Sequence, residues 1–290
     1  MMKHAIVTLY RLRFPAGYIA VAILIANAIV GASLTGDGVR QVRLFLVFAA
    51  IAVAILCVLL SFIVPRWLPA PSPRTVAAPV EARWLGLNSP ASKVPSHGVR
   101  AYGQAYAIDI VHDPLDTTRP AFGGRMMRGV HEYPAFGQPV FAMIDGTVVR
   151  ASGWRRDHRA RSNALGLIYL MVEGMFREIG GPAFIIGNHV TIRSDDGIYA
   201  TVAHLQRGSL TVSTGDRITA GMQIGRCGNS GNSSEPHVHA QLMDTGSFWT
   251  AQGIPMAFAA ITIGDDPRPV DGLPENEQHM TARISTQPTS

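Results

Sequence analysis

The sequence predicts a mainly antiparallel β domain with one helical insertion, preceded by an α-helical transmembrane hairpin. Three observations carry that prediction. Two long stretches near the start hold no charged residue. From about His97 onward, short apolar runs alternate with Gly, Asp and Asn turn signals, the texture of a β domain. One later stretch breaks that texture with helical spacing. Composition points the same way. Of 290 residues, 47% are hydrophobic and only 16% charged, against roughly 25% charged in soluble domains. Mean hydropathy is +0.17. Wholesale disorder is excluded by the apolar content, and a disulfide scaffold by there being only two cysteines, Cys57 and Cys227. A net charge of +5 suits an anionic partner such as lipid or a wall polymer. It is too diffuse for nucleic acid, and no nucleic-acid-binding motif is present.

Taken in order, residues 1–13 form a basic tail with Lys3, Arg11 and Arg13. Phe14 to Gly36 then runs 23 residues without a charge and Leu44 to Val64 runs 21, each enough to cross a ~30 Å hydrocarbon core as a helix. A turn with Asp37, Arg40 and Arg43 joins them into a hairpin that embeds the chain in a membrane. A cleavable leader is the rival for the first run, with Ala26-Asn27-Ala28 as its small-x-small site. Counting basic residues does not orient the hairpin, because Arg40 and Arg43 in the loop nearly balance the flanks. Residues 65–96, punctuated by Pro65, Pro69, Pro71, Pro73, Pro79, Pro90 and Pro95, read as a semi-rigid stalk.

Residues 97–265 make the β domain, with strands expected in Pro139–Arg150, Asn188–Arg193 and Ile198–Leu205. Within it Leu165, Ile168, Tyr169, Val172, Phe176 and Ile179 recur at helical spacing, so Leu165–Ile179 reads as an amphipathic helix inside an insertion, 153–180. The basic run Trp154–Arg161 before it reads as a solvated loop in preference to a contact with anionic wall or lipid. Residues 266–290 read as a disordered polar tail.

The chemistry gathers in Asn229-Ser-Gly-Asn-Ser-Ser-Glu-Pro-His-Val-His239. In a strand, residues two apart share a face, so His237 and His239 can address one site. His204 ends a second strand and Asp109 a third, and His and Asp donors brought together this way suit zinc. Glu235 reads as a loop residue, and His189 as either a supporting or a structural histidine.

From His97 to Asp244 the chain resembles the lysostaphin/LytM-type zinc metallopeptidases. The resemblance rests on Gly137–Val149, Gly187-Asn-His-Val190, Tyr199–Leu205, Val212–Gly225, Gly228-Asn-Ser-Gly231 and Pro236-His-Val-His239. It implies a LytM-type fold and hydrolysis of peptide bonds in cell-wall peptidoglycan. It further implies Zn²⁺ held by an upstream histidine, Asp109 and His239, with His204 and His237 as catalytic residues beside the metal's water. Zinc lowers the pKa of that water towards ~7. The family's first ligand stands four residues before the aspartate, where this chain has Ala105. His97 is therefore assigned as the first ligand by elimination, with His112 as its rival.

Two other readings compete. A degenerate LytM-type regulator that activates another wall hydrolase lacks several site residues, whereas Asp109, His204, His237 and His239 are retained here. A biotinyl or lipoyl carrier domain needs a modifiable lysine, and none follows Lys93. The expected protein is a multi-pass membrane-tethered zinc endopeptidase whose domain faces the cell wall, an orientation that follows from the implied substrate.

Overall fold

The computed structural model describes residues 2–67 and 72–284, and the chain divides into two compact units, Met1–Ala70 and Pro71–Ser290. The first unit is a pair of helices, α1 (Met2–Val30) and α2 (Asp37–Ile63), packed on one another. Ala5–Val30 and Asp37–Arg66 are each long and apolar enough to cross a membrane. The boundaries differ from those expected. The basic tail is already helical, α1 stops at Val30 rather than Gly36, and the expected turn 37–43 is the first part of α2. Gly36, at φ 108°, makes the break, and Asp37 starts the next helix with a favourable charge in its first turn. Arg43 donates to the Gly31 carbonyl and closes the turn. Arg13 is buried between the helices, where its Nε donates to Ser61 Oγ at 3.2 Å and its guanidinium stacks 3.6 Å from the Tyr10 ring.

The second unit is a sheet-based domain. Its first strands are β1 (Arg74–Val76), β2 (Ala82–Leu87) and β3 (Ile108–His112), followed by the short β4 (Met127–Arg128). Next come β5 (Pro139–Phe141), β6 (Gly146–Ser152) and β7 (Ala160–Arg161), then helices α3 (Ala164–Ile179) and α4 (Pro182–Ile186). Then follow β8 (His189–Arg193), β9 (Tyr199–Ala203), β10 (Arg217–Ile218) and β11 (Gln223–Arg226). The chain closes with β12 (Val238–Met243), β13 (Gly253–Ile254), β14 (Met256–Ile263), β15 (Asp266–Gly272) and β16 (His279–Ala282).

A 12-stranded sheet runs β1-β14-β16-β2-β3-β12-β9-β8-β6-β10, with β13 alongside β12 and β15 alongside β14. Every pairing in it is antiparallel except β1 with β14. Strand β12 lies between β3 and β9, and all of Val238–Met243 is buried, as both faces of a central strand require. The core is built from Ile108, Ile110, Val190, Ile192, Val202, Leu205 and Leu242, with Trp84 and Phe258. The single strand expected over Pro139–Arg150 is two strands in different sheets. The turn at Asp145-Gly146 separates them, and a side chain at Gly146 would collide with the Arg193 carbonyl. Helix α3 starts where its periodicity placed it, capped by Asn163 Oδ1, which accepts from Gly166 N at 2.9 Å.

Two expectations are corrected. The stalk over 65–96 is largely sheet and core: Val76, Ala78 and Val80 are buried, β2 bonds to β3, and Trp84 is 1% exposed. Pro73 directly precedes β1, where a missing N–H does no harm, and the Pro79 carbonyl accepts from Phe141 N at 2.9 Å. Residues 68–71 of that segment lie outside the described residues. The tail over 266–290 is likewise ordered through most of its length. Strand β15 folds back on β14 across Gly264 (φ 61°), and β16 sits between β14 and β2 with Met280 and Ala282 buried. Residues 285–290 lie outside the described residues. The domain therefore exceeds 97–265 at both ends, because each end supplies a strand that an edge of the sheet would otherwise leave unpaired.

Met280 tests this closure. Met280→Ala should cost about 2–5 kcal/mol in a denaturant titration, the range for truncating a buried methionine. An unchanged midpoint would return 273–290 to a tail outside the fold.

Candidate metal and catalytic centre

Strand register builds the site. His239 on β12 lies directly opposite Asp109 on β3, and opposed residues share a face. His237, two residues earlier, points the same way. On the other flank Ala203 of β9 faces His239, so alternation would send His204 to the far side. The backbone of His204 is left-handed instead (φ 59°), which returns its ring to within 5.7 Å of His239 and 4.7 Å of His237. Asn88 uses the same device: Leu87 faces Asp109, and a φ of 44° brings Asn88 Nδ2 to Asp109 Oδ2 at 2.8 Å.

Asp109 is the hub. Its Oδ2 lies 3.1 Å from His97 Nε2 and its Oδ1 lies 2.9 Å from His239 Nδ1 and 3.5 Å from His237 Nε2. One ligand atom from each of His97, Asp109 and His239 falls within 4.8 Å of the others. His112, the rival first ligand, is elsewhere: its ring packs 5.0 Å from that of Trp84, towards β2. Three residues beyond Asp109 on the same strand, it occupies the opposite face.

The hydrogen bonds fix which nitrogen of each ring is bare. Gln241 Nε2 donates to the Tyr102 carbonyl at 2.9 Å, so its Oε1 must be the acceptor for His239 Nε2–H at 2.8 Å. That leaves His239 Nδ1 without a proton when the ring is neutral, aimed at a carboxylate oxygen. His204 Nδ1–H donates to the Ser230 carbonyl at 2.8 Å and His237 Nδ1–H to the Glu235 carbonyl at 2.8 Å, which bares both Nε2 atoms. Two lone pairs meeting at 2.9 Å, on His239 and Asp109, call for a cation or a shared proton between them. The imidazole and carboxylate donors match what zinc takes.

Titration follows the same geometry. Burial alone would raise the Asp109 pKa, but His97, His237 and His239 around it hold the carboxyl well below its usual range. Burial, reinforced by His237 and His239, holds His204 well below an ordinary histidine. Burial also opposes charge on His237, but the Asp109 carboxylate outweighs it and raises that pKa. Glu235 is clasped by Arg119, with Nε at 3.0 Å from its Oε2, as befits a loop residue. His189 stands apart: its Nδ1–H donates to the Gly187 carbonyl at 2.8 Å, and its buried Nε2 has no partner.

Residues 125–250 match Peptidase family M23. That stretch, within the second unit, is similar to an M23 peptidase domain. Over 133 residues it is 34% identical to the glycyl-glycine endopeptidase ALE-1 of Staphylococcus capitis, a match spanning 45% of this chain and 28% of that protein. Among solved structures it is similar to the catalytic domain of the antimicrobial peptidase lysostaphin from Staphylococcus simulans. That similarity has 23% identity, a TM-score of 0.31 and coverage of 51% of this chain and 74% of that one. It is also similar to Csd3 of Helicobacter pylori, with 16% identity, a TM-score of 0.33 and coverage of 63% and 34%. The M23 match begins after His97 and Asp109, so the geometry alone joins those two residues to the M23 domain's His-x-His strand.

Sequence reasoning passed over Asn88, Gln241, Ser230 and the Glu235 carbonyl. Of these, Gln241 had a readable signal, since it stands two residues after His239 on the same strand face.

His189 gives a pH prediction. Burial lowers its pKa to about 4, against ~6.5 in an unfolded chain. The unfolded chain therefore binds the proton first as pH falls, so stability is full above pH ~6.5 and declines towards pH ~4. At ~1.4 kcal/mol per unit, the loss between pH 7 and pH 5 is ~2 kcal/mol. Asn in its place keeps a donor for Gly187 but does not titrate. His189→Asn should thus lose ~2 kcal/mol less than wild type over that interval, and parallel denaturation profiles would refute the assignment.

Proposed function

We propose that this chain is a membrane-tethered zinc endopeptidase acting on the peptides of cell-wall peptidoglycan. The observation that carries the reading is the bare His239 Nδ1 facing Asp109 Oδ1 at 2.9 Å, with His97 Nε2 in reach as a third donor. His97, Asp109 and His239 would hold the metal. When bound there, zinc supplies Lewis acidity and acidifies water towards neutrality. The rest of the work falls to side chains. Burial keeps His204 neutral, so its bare Nε2 can accept a proton from the attacking water. His237 has its Nδ1–H anchored on the Glu235 carbonyl, and its Nε2, once protonated, is a donor for the developing oxyanion or the leaving amine. A divalent cation on Asp109 would cancel the pull that raises the His237 pKa, bringing that group nearer to neutrality.

Two apolar helices ahead of the domain support the tether, and the likeness to a glycyl-glycine endopeptidase supports a peptide substrate in the wall. A wall substrate would place the domain on the outer side of the membrane.

Zinc content and hydrolysis together test the roles. His97→Ala, Asp109→Ala and His239→Ala should lose zinc, while His112→Ala keeps it. His204→Ala and His237→Ala should retain zinc but lose about 10²–10⁴-fold in peptide cleavage. Wild type that folds yet binds no zinc would favour the degenerate regulator.

Gln241 adds a finer test. Gln241→Leu removes the acceptor that fixes the His239 tautomer, and should weaken zinc about 10–100-fold in a chelator competition. Unchanged affinity would show that the tautomer is set otherwise.

A further inference from the structure

Helix α3 is amphipathic the wrong way round for a soluble domain, whose helices turn their apolar stripe to the core. Its polar side faces the protein. Glu173 pairs with Arg161 of β7 at 2.5 Å and, within the helix, with Arg177 at 2.7 Å; Glu178 accepts from the Tyr102 hydroxyl, and Gly174 lies against Asn232 of the loop that carries His237. Its other side is apolar and open: Met171 is 72% exposed, Phe176 71% and Ile179 77%, with Leu165, Ile168 and Met175 beside them. A continuous apolar face of this kind marks an interaction site.

The surroundings say what it meets. Trp154, Arg156 and Arg159 are exposed in the loop just before α3. All three acidic residues between Trp154 and Phe184 are turned inward. Glu173 and Glu178 bond as described, and Asp157 accepts from Asn229 N at 2.7 Å and Arg207 N at 2.9 Å. The exposed groups of 154–184 are thus apolar or cationic, with a Trp among them and each carboxylate engaged by the protein, the composition of a helix lying in a membrane interface. In sequence, six residues, 68–73, separate Trp67 from β1.

We propose that α3 is an interfacial helix, its outer face seated at the headgroup–acyl boundary of an anionic phospholipid bilayer, with Trp154, Arg156 and Arg159 among the headgroups. This rests on the membrane-tethered reading above. Because the inner side of α3 holds Tyr102 and the 229–235 loop, lipid contact would restrict the site to peptides next to the membrane.

The test uses the full chain with Cys57→Ala, reconstituted into phosphatidylcholine vesicles with or without phosphatidylglycerol. An environment-sensitive fluorophore is attached at Phe176→Cys or, as a control on the exposed strand β15, Val270→Cys; Cys227 is fully buried and does not compete. In protein that resists carbonate extraction, the Phe176 label should shift to the blue and be quenched by acyl-chain nitroxides in anionic vesicles. Quenching should be lost with Arg156→Glu plus Arg159→Glu, and the Val270 label should stay in water throughout. A water-exposed Phe176 label in integrated protein overturns the proposal. So does shielding without nitroxide quenching that rises with protein density, which would mean contact between copies. Complete extraction by carbonate instead overturns the membrane reading on which the proposal rests.

Discussion

Burying an ionised carboxylate in the middle of a sheet costs several kcal/mol unless hydrogen bonds and charge meet it. Asp109 is 7% exposed on β3, and the surrounding architecture can be read as the answer to that demand. Strands β2, β3, β12 and β9 lie side by side, and each delivers a group to the same face. Asn88 comes from the end of β2, His239 and His237 from β12, and His204 from the end of β9, while His97 arrives from the segment before β3. Two of these arrivals need a left-handed residue, because regular alternation would have aimed them away. Such backbone conformations persist only where the surroundings over-determine them, and they concentrate at functional sites.

The hydrogen bonds sharpen the demand into a choice. His204, His237 and His239 each commit one ring nitrogen to a carbonyl oxygen, of Ser230, Glu235 and Gln241 respectively. The remaining nitrogens are turned towards Asp109 or one another, so neutral rings would present lone pairs to a negative charge. Positive charge must enter the cluster to hold it together. A proton on His237 meets part of that need, as the direction of its pKa indicates. Burial keeps His204 from doing the same. A divalent cation would meet the need more fully, since His97, Asp109 and His239 could all hold it at once.

What could be read from the sequence was what strand alternation governs. His237 and His239 on one face, the helical spacing of α3 and the alternating apolar strands of the centre all follow from periods of two and 3.6. The identity of His97 did not follow from any period. It lies in an irregular segment, and only the folded chain shows that it approaches Asp109 while His112, nearer in sequence, is carried to the other face by its own strand. Asn88 was hidden for a different reason. Its neighbourhood is rich in proline, a composition that reads as an extended spacer whether or not its apolar residues find a core. Val76, Ala78, Val80 and Trp84 do find one, because the sheet supplies partners from far along the chain. The tail was misread by the same logic, since Met280 and Ala282 are two apolar positions in a polar stretch.

These two misread ends meet behind the site. Ser89 Oγ donates to the Pro274 carbonyl at 2.6 Å and Ser89 N to Asn276 Oδ1 at 2.7 Å. Gly86 packs so closely on Glu275 that a Cβ would come within 2.6 Å of its carbonyl oxygen. The residues just after Asn88 are therefore pinned by the segment leading into β16, and that pinning sustains the left-handed turn that aims Asn88 at Asp109. The closure of the sheet and the shape of the site are one constraint. A chain that lost its last strand would lose more than a buried methionine, because the turn presenting Asn88 would lose the partner that holds it, and Asp109 would keep its burial with one fewer donor to meet its charge.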